Sequence, residues 1–113
     1  MENKIRVGLM AYGMSGKIFH APFFELHQGF ELVAVVERSK NKATADYPKI
    51  TTYRSVEELL ADESLELIVV NTPNYTHYEY AKASLNAGKN VLIEKPFSVS
   101  KTEAEELFSL AFR

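Results

Sequence analysis

Gly8-Leu9-Met10-Ala11-Tyr12-Gly13-Met14-Ser15-Gly16 is the stretch that decides the fold. The residues leading into it, 4–10, carry Ile5, Val7 and Leu9 at alternating positions and read as a β-strand. The residues leading out of it, 15–26, read as a helix. Between them the chain turns on closely spaced glycines, which allow a tight strand-to-helix turn and a close approach of backbone to backbone.

The same rhythm continues to the end of the sequence. Residues 30–37 (Phe-Glu-Leu-Val-Ala-Val-Val-Glu) form a second strand, and their unbroken apolar centre fits a strand covered on both faces. A short helix is expected over 41–46, stopped by Pro48. Residues 50–53 form a short third strand. Ser55 opens the next helix, with Glu58 three residues on to complete a capping box. Residues 65–71 read as the fourth strand, broken by Pro73 and Asn74. A helix over 76–87 closes on Gly88, the usual left-handed terminator. Residues 90–93 form the fifth strand, and Ser100 with Glu103 caps a last helix over 101–113. Alternating βαβα units predict a single α/β domain of Rossmann type, a doubly wound parallel sheet with helices on both faces.

Length and composition narrow the classes. The chain has 113 residues, 46% hydrophobic and 25% charged, ordinary for one globular domain. Its formal net charge of −2 gives no global attraction for nucleic acid or an anionic membrane. Tyr75, Tyr78 and Tyr80 lie near one another without a flanking basic cluster, so nucleic-acid binding is not expected. There are no cysteines, which excludes disulfides and thiolate metal sites. No histidine–carboxylate cluster has metal-ligand spacing, and no metal is expected. Neither a signal peptide nor a membrane-spanning run is visible, and the expected location is the cytoplasm.

The glycine turn suggests a ligand. The fingerprint G-x-G-x-x-G of dinucleotide-binding domains falls on Ala11, Gly13 and Gly16. A side chain at the second glycine blocks the backbone from a pyrophosphate, and the third glycine lets helix and strand pack closely. The amides of Tyr12, Gly13, Met14 and Ser15 are placed to meet phosphate at the start of a helix. Ala11 departs from the pattern, and the turn has to keep it at an ordinary φ. About 20 residues past Gly16, Glu37 closes the second strand where an acidic side chain reaches adenosine ribose hydroxyls. Glu37 favours NAD over NADP, because it repels a 2′-phosphate. Arg38 and Ser39 argue the other way, since a guanidinium pairs with phosphate. The plain alternative is a solvated Glu37–Arg38 pair at a strand end.

Two further segments carry a family resemblance. Asn71 ends the fourth strand, followed by Thr72-Pro73-Asn74-Tyr75-Thr76-His77. Ala87-Gly88-Lys89-Asn90-Val91-Leu92-Ile93-Glu94-Lys95-Pro96 spans the fifth strand and its end. These resemble the T-P-N-x-x-H and A-G-K-x-V-x-x-E-K-P signatures of the glucose–fructose oxidoreductase and inositol dehydrogenase family (Gfo/Idh/MocA). Phe19-His20-Ala21-Pro22 is similar to a branch containing scyllo-inositol dehydrogenase-like proteins.

The resemblance implies an NAD(P)-dependent oxidoreductase that moves a hydride between nicotinamide and a sugar, cyclitol or polyol. It implies that Lys95 is the catalytic residue, stabilising charge on the reacting oxygen and relaying its proton, with Glu94 orienting it or contacting the ribose nearest the nicotinamide, and that Glu94, Lys95 and Pro96 border the cofactor. Asn71, Thr72, Pro73 and Asn74 would line the cofactor crevice, although Asn74 also suits the role of helix cap. His77 has two readings, one facing the substrate and one structural; His20 shares that ambiguity, and His27 reads as a surface residue. The family pattern further implies a second α/β domain bearing much of the substrate surface, and a parent that is a homo-oligomer. The last helix runs to Arg113 without a terminator, which fits a fragment. A cofactor-sensing module without turnover is the alternative; a ligand-free structural domain fits these motifs less well.

Overall fold

The computed structural model describes residues 4–12, 21–26, 28–73, 76–93 and 100–111. In chain order the elements are β1 (Ile5–Leu9), α1 (Ala21–Leu26), β2 (Phe30–Val36), α2 (Lys42–Asp46), β3 (Thr51–Tyr53), α3 (Val56–Leu60), β4 (Leu67–Val70), α4 (His77–Asn86), β5 (Asn90–Ile93) and α5 (Lys101–Ala111). All pairings are parallel, and the strands lie in the order β3-β2-β1-β4-β5. The expected doubly wound sheet is therefore present. From β1 the chain steps outward to β2 and β3, then crosses to β4 on the other side. The carboxyl ends of β1 and β4 mark the point where the winding reverses, the usual place for a ligand crevice.

Alternation along the strands supplies two cores. Val7 and Leu9 point to one face, where they meet Phe24 of α1, Ala43 of α2, and Leu32 and Val35 of β2. Met10 points to the other face with Ala34, Val36, Ile68 and Val70, under Val56 and Leu59 of α3. Leu32 and Val35 share a face although three positions separate them. The β1–β2 register shifts between Val7 and Gly8, so β2 carries one extra residue there. Such a bulge resets the alternation and lets a long apolar run serve both faces.

The ends of the elements follow local chemistry. Ser55 caps α3 by accepting from the Glu58 amide at 3.1 Å. The Glu58 carboxylate returns to the Arg54 amide, one residue before the cap. Ser100 and Glu103 form the full reciprocal box at α5, at 3.0 and 3.2 Å. Gly88 adopts φ 80°, the left-handed conformation that ends α4 without a Cβ penalty.

Several expected boundaries move by a residue or two, and three of the shifts bear on the cleft or its strands. Strand β4 covers only Leu67–Val70, since after Val70 it is the Asn71 side chain that pairs with the Ala11 backbone. Strand β3 starts at Thr51, since the Ile50 amide closes a turn onto the Tyr47 carbonyl. The N-cap of α4 is Thr76, so His77 is its first residue and not one turn inside. Asn74, the other expected cap, lies outside the described residues, as does the first half of the helix expected over 15–26.

Gly8 is structural. A Cβ on it would sit 2.9 Å from Leu65 Cδ1 and 3.1 Å from Leu59 Cδ1, inside the packed layer beneath α3. Overpacking of this kind typically costs about 1–3 kcal/mol. Gly8→Ala is expected to lower unfolding stability by that amount in urea titration, and an unchanged midpoint would contradict the packing described.

Candidate functional site

The carboxyl ends of β1, β2 and β4 open into one cleft of about 710 Å³. Met10, Ala11 and Tyr12 contribute from β1, Val36 to Lys40 from β2, and Thr72 and Pro73 from β4. Val56 of α3 and Thr76, Glu79 and Tyr80 close the remaining sides. This volume suits a cofactor-sized ligand.

Asn71 holds the floor of the cleft. The Ala11 amide donates to Asn71 Oδ1 at 3.0 Å, and Asn71 Nδ2 donates to the Ala11 carbonyl at 2.8 Å. This reciprocal pair adds one side-chain rung to a sheet whose backbone ladder has ended. Asn71 is buried, and its amide is committed to the turn, so it positions that turn. Ala11 keeps an ordinary φ, as the sequence required.

Tyr12 turns down from the cleft wall. Its side chain is 6% exposed, and its hydroxyl donates to Asp46 Oδ2 at 2.6 Å, at the last residue of α2. Burial, with the Asp46 carboxylate as acceptor, pushes the hydroxyl well above the ordinary tyrosine pKa. Tyr12 thus ties the chain just after β1 to α2 through its side chain.

Glu37 is not the solvated strand-end residue of the plain reading. It is 8% exposed, and its carboxylate caps α2 by accepting from the Lys42 amide at 3.1 Å and the Ala43 amide at 2.9 Å. Asn41, the residue at the N-cap position, makes no side-chain cap bond. An acidic group is well suited there, because the first amides of a helix lack partners and carry partial positive charge. Arg38, Ser39 and Lys40 follow as exposed residues along the cleft wall.

His77 is fully buried at the start of α4. Its Nε2 lies 3.0 Å from the Thr72 carbonyl, and its Nδ1 has no hydrogen-bond partner. With Nε2–H as donor, His77 braces the loop after β4. Burial favours the structural reading over the substrate-facing one.

Of the residues singled out in the sequence, Ala11, Tyr12, Glu37, Arg38, Thr72 and Pro73 come together at the cleft. Asn71 and His77 lie behind it, holding backbone. Gly13, Met14, Ser15, His20, His27, Asn74, Glu94, Lys95 and Pro96 lie outside the described residues. Two contributors escaped sequence reasoning. Asp46 anchors Tyr12, and Arg54 binds the loop after β2 through the carbonyls of Glu37 and Lys40 and through Asn41 Oδ1. Neither belongs to a motif; only the pairing of β3 beside β2 reveals Arg54. Among the described residues no three histidine or carboxylate groups gather as metal ligands.

Comparison with known proteins agrees with this architecture. The family model for an oxidoreductase family with an NAD-binding Rossmann fold, GFO_IDH_MocA, matches residues 5–113. The chain belongs to the Gfo/Idh/MocA oxidoreductase family. It is 43% identical over 111 residues to the uncharacterized oxidoreductase YdgJ of Escherichia coli K12, covering 98% of this chain and 32% of that protein. It is 33% identical over 103 residues to the scyllo-inositol 2-dehydrogenase (NADP(+)) IolW of Bacillus subtilis, covering 91% and 29%. Among solved structures, the 3-ketoreductase KijD10 of Actinomadura kijaniata, in complex with NADP and TDP-benzene, superposes with a TM-score of 0.89 at 27% identity. That match covers 97% of this chain and 34% of KijD10. The Gfo/Idh/MocA chain described here thus spans about a third of the length of the curated relatives it matches.

The Tyr12–Asp46 bond has a pH signature. A hydroxyl whose pKa is raised by folding contributes stability that is complete below about pH 10 and is lost as pH rises further. Tyr12→Phe is expected to lose about 1 kcal/mol at neutral pH. Because the variant has no ionisable group there, its deficit is expected to shrink above pH 10 by up to about 1.4 kcal/mol per pH unit. A deficit that stays constant from pH 7 to 11 would contradict the assignment.

Proposed function

We propose that the cleft binds a nicotinamide dinucleotide, NAD or NADP, and that this chain is the cofactor-binding part of a dehydrogenase acting on a sugar, cyclitol or related polyol. The observation that carries this reading is the Asn71–Ala11 pair at the point where the sheet reverses its winding. It fixes Ala11, where the fingerprint stretch begins, at the wall of the cleft. The residues present suit such a ligand: Met10, Val36 and Val56 offer apolar surface for a base, while Arg38, Ser39 and Lys40 offer polar groups at the rim.

In this reading the amides of Tyr12, Gly13, Met14 and Ser15 meet the pyrophosphate, helped by the partial charge of a helix start. Thr72, Pro73 and Asn74 line the path toward the nicotinamide. When bound, the cofactor would supply hydride-transfer chemistry at the substrate carbon. Lys95, two residues past the end of β5, holds its ammonium near the substrate oxygen, offsets developing negative charge there and passes on the hydroxyl proton. Glu94 orients that amine, and Pro96 stiffens the backbone beside it. Relatives named as acting on scyllo-inositol and D-xylose support a polyhydroxylated substrate, and their names carry NADP. Since those relatives are about three times longer, the remaining wall of the substrate site belongs to further sequence. The isolated chain is then expected to turn over poorly.

Two measurements test this reading. Titration of the chain with NADH and NADPH, followed by nicotinamide fluorescence, is expected to show saturable binding; none at millimolar cofactor would contradict it. In the full-length protein, Lys95→Ala is expected to lower kcat by roughly 10²–10⁴-fold, the usual range for a lost proton-transfer group, with cofactor affinity nearly unchanged. Unchanged turnover would remove Lys95 from the chemistry.

A further inference from the structure

Helix α4 forms one side of the cleft, yet little in its contact with the sheet fixes how it is turned about its own axis. Thr76 at its cap, with Glu79 and Tyr80, lines the cleft, and His77 holds the Thr72 carbonyl beside it. The strip of α4 that is buried is His77, Ala81 and Ser84, all three fully. Two of these are small. They let the axis lie close to the sheet and offer only a shallow ridge against rolling. A roll of α4 would swing Thr76 and Tyr80 across the cleft and draw His77 away from the Thr72 carbonyl.

The stop comes from α5. Tyr78 and Lys82 stand one turn apart, and at about 100° per residue they lie on the flank of α4 away from Thr76 and Tyr80. Both reach Glu106 of α5. The Tyr78 hydroxyl donates to Glu106 Oε1, and the Lys82 ammonium pairs with Oε2 at 3.0 Å. Lys82 also donates to the Tyr78 hydroxyl at 3.4 Å and lies 5.7 Å from the centre of its ring. The three groups close a triangle in which each side chain restrains the other two. The Tyr78 hydroxyl, and after it the Lys82 ammonium, hold the Glu106 carboxyl below its ordinary pKa, so the clasp is charged at neutral pH. Next to Glu106 the buried Leu107 seats α5, which gives the carboxylate a fixed base. Glu106 itself lines neither this cleft nor the one between α4, β5 and α5.

We propose that Glu106 is a positioning residue for the cofactor cleft, acting across α4 through Tyr78 and Lys82 to set the wall that carries Thr76, Tyr80 and the brace on Thr72. The inference rests on the cofactor reading above and adds a control of that site from the far side of a helix. Its effect travels as the turn of α4 about its own axis, with no group of the clasp touching the ligand. The Lys82 and Glu106 side chains are each 41% exposed, so the ion pair contributes modestly and its loss leaves the domain folded. The two arms differ in kind. The Lys82 arm is an exposed charge pair that salt screens, whereas the Tyr78 arm needs only an acceptor oxygen on residue 106.

Equilibrium titration of the chain with NADH and NADPH, combined with amide chemical shifts of the free, isotope-labelled chain, tests this. Glu106→Ala is expected to weaken binding of both cofactors about three- to tenfold, the equivalent of about one hydrogen bond, with unchanged circular dichroism. In the free variant the Thr72 amide signal is expected to move, while those of Tyr12, Ala43 and Asp46 stay in place. Glu106→Gln keeps an oxygen for the Tyr78 hydroxyl and is expected to recover most of the affinity. Tyr78→Phe is expected to weaken binding by a similar factor, and combining it with Glu106→Ala to cost little more, because both changes break the same contact. Wild-type affinity in Glu106→Ala would overturn the positioning role and leave the cofactor reading intact. Weakened affinity with an unmoved Thr72 signal would overturn the route through α4, and so would fully additive losses in the double variant. Were the wild-type chain to bind neither cofactor, the cofactor reading would fall, and the hold of Glu106 on the wall would still stand or fall on the Thr72 signal.

Discussion

The exchange of two hydrogen bonds between the Asn71 side chain and the Ala11 backbone is the constraint on which the rest of the cleft depends. At the reversal point of a doubly wound sheet the two central strands must part, and their backbone groups lose each other as partners. Asn71 supplies a donor and an acceptor in the places where the next backbone rung would stand. Ala11 is thereby satisfied while the chain after it is released from the sheet. A crevice can open there without leaving buried amides unpaired.

Further contacts extend this anchor around the rim. Tyr12, next to Ala11, reaches down to Asp46 at the end of α2. The start of α2 is held by Glu37 at the end of β2. Arg54, beyond β3, closes the loop between them. On the other side His77 braces the carbonyl of Thr72. Four strand ends are thus linked through polar groups whose partners are mostly backbone, and Tyr12, Glu37, Asn71 and His77 among them are buried. Such groups are costly when unpaired, so each position is tightly specified by its neighbour. The helix α2 has only five residues and would be marginal alone. It persists because both of its ends serve the rim.

The alternation of strands and helices was legible because each strand carries an apolar run and each long helix carries its own cap. Ser55, Ser100 and Gly88 act where their chemistry placed them. The grouping of Ala11, Tyr12, Arg38, Thr72 and Pro73 was legible because parallel strands bring their carboxyl ends to one edge. The orientation of Glu37 was not. Nothing in the order Glu37-Arg38-Ser39 tells whether a carboxylate faces a ligand or turns back to a helix five residues on. The roles of Asp46 and Arg54 were hidden for a related reason: each acts across a sequence gap on a partner that only strand pairing and helix docking bring near. His77 was ambiguous because its role depends on burial, which one histidine in a motif does not reveal.

A second cleft, of about 680 Å³, lies between α4, β5 and α5, lined among others by Lys89, Val91, Leu107 and Phe108. It stands apart from the strand ends after β1 and β2, and the Lys89 ammonium there is engaged by the Asp62 carbonyl at 2.7 Å. The two clefts make the central claim directly measurable. Amide chemical shifts of the isotope-labelled chain, followed during titration with a nicotinamide dinucleotide, report where the ligand sits. The account predicts saturable shifts centred on Ala11, Tyr12, Arg38, Ser39 and Thr72. Shifts confined to Lys89, Val91, Leu107 and Phe108 would contradict it.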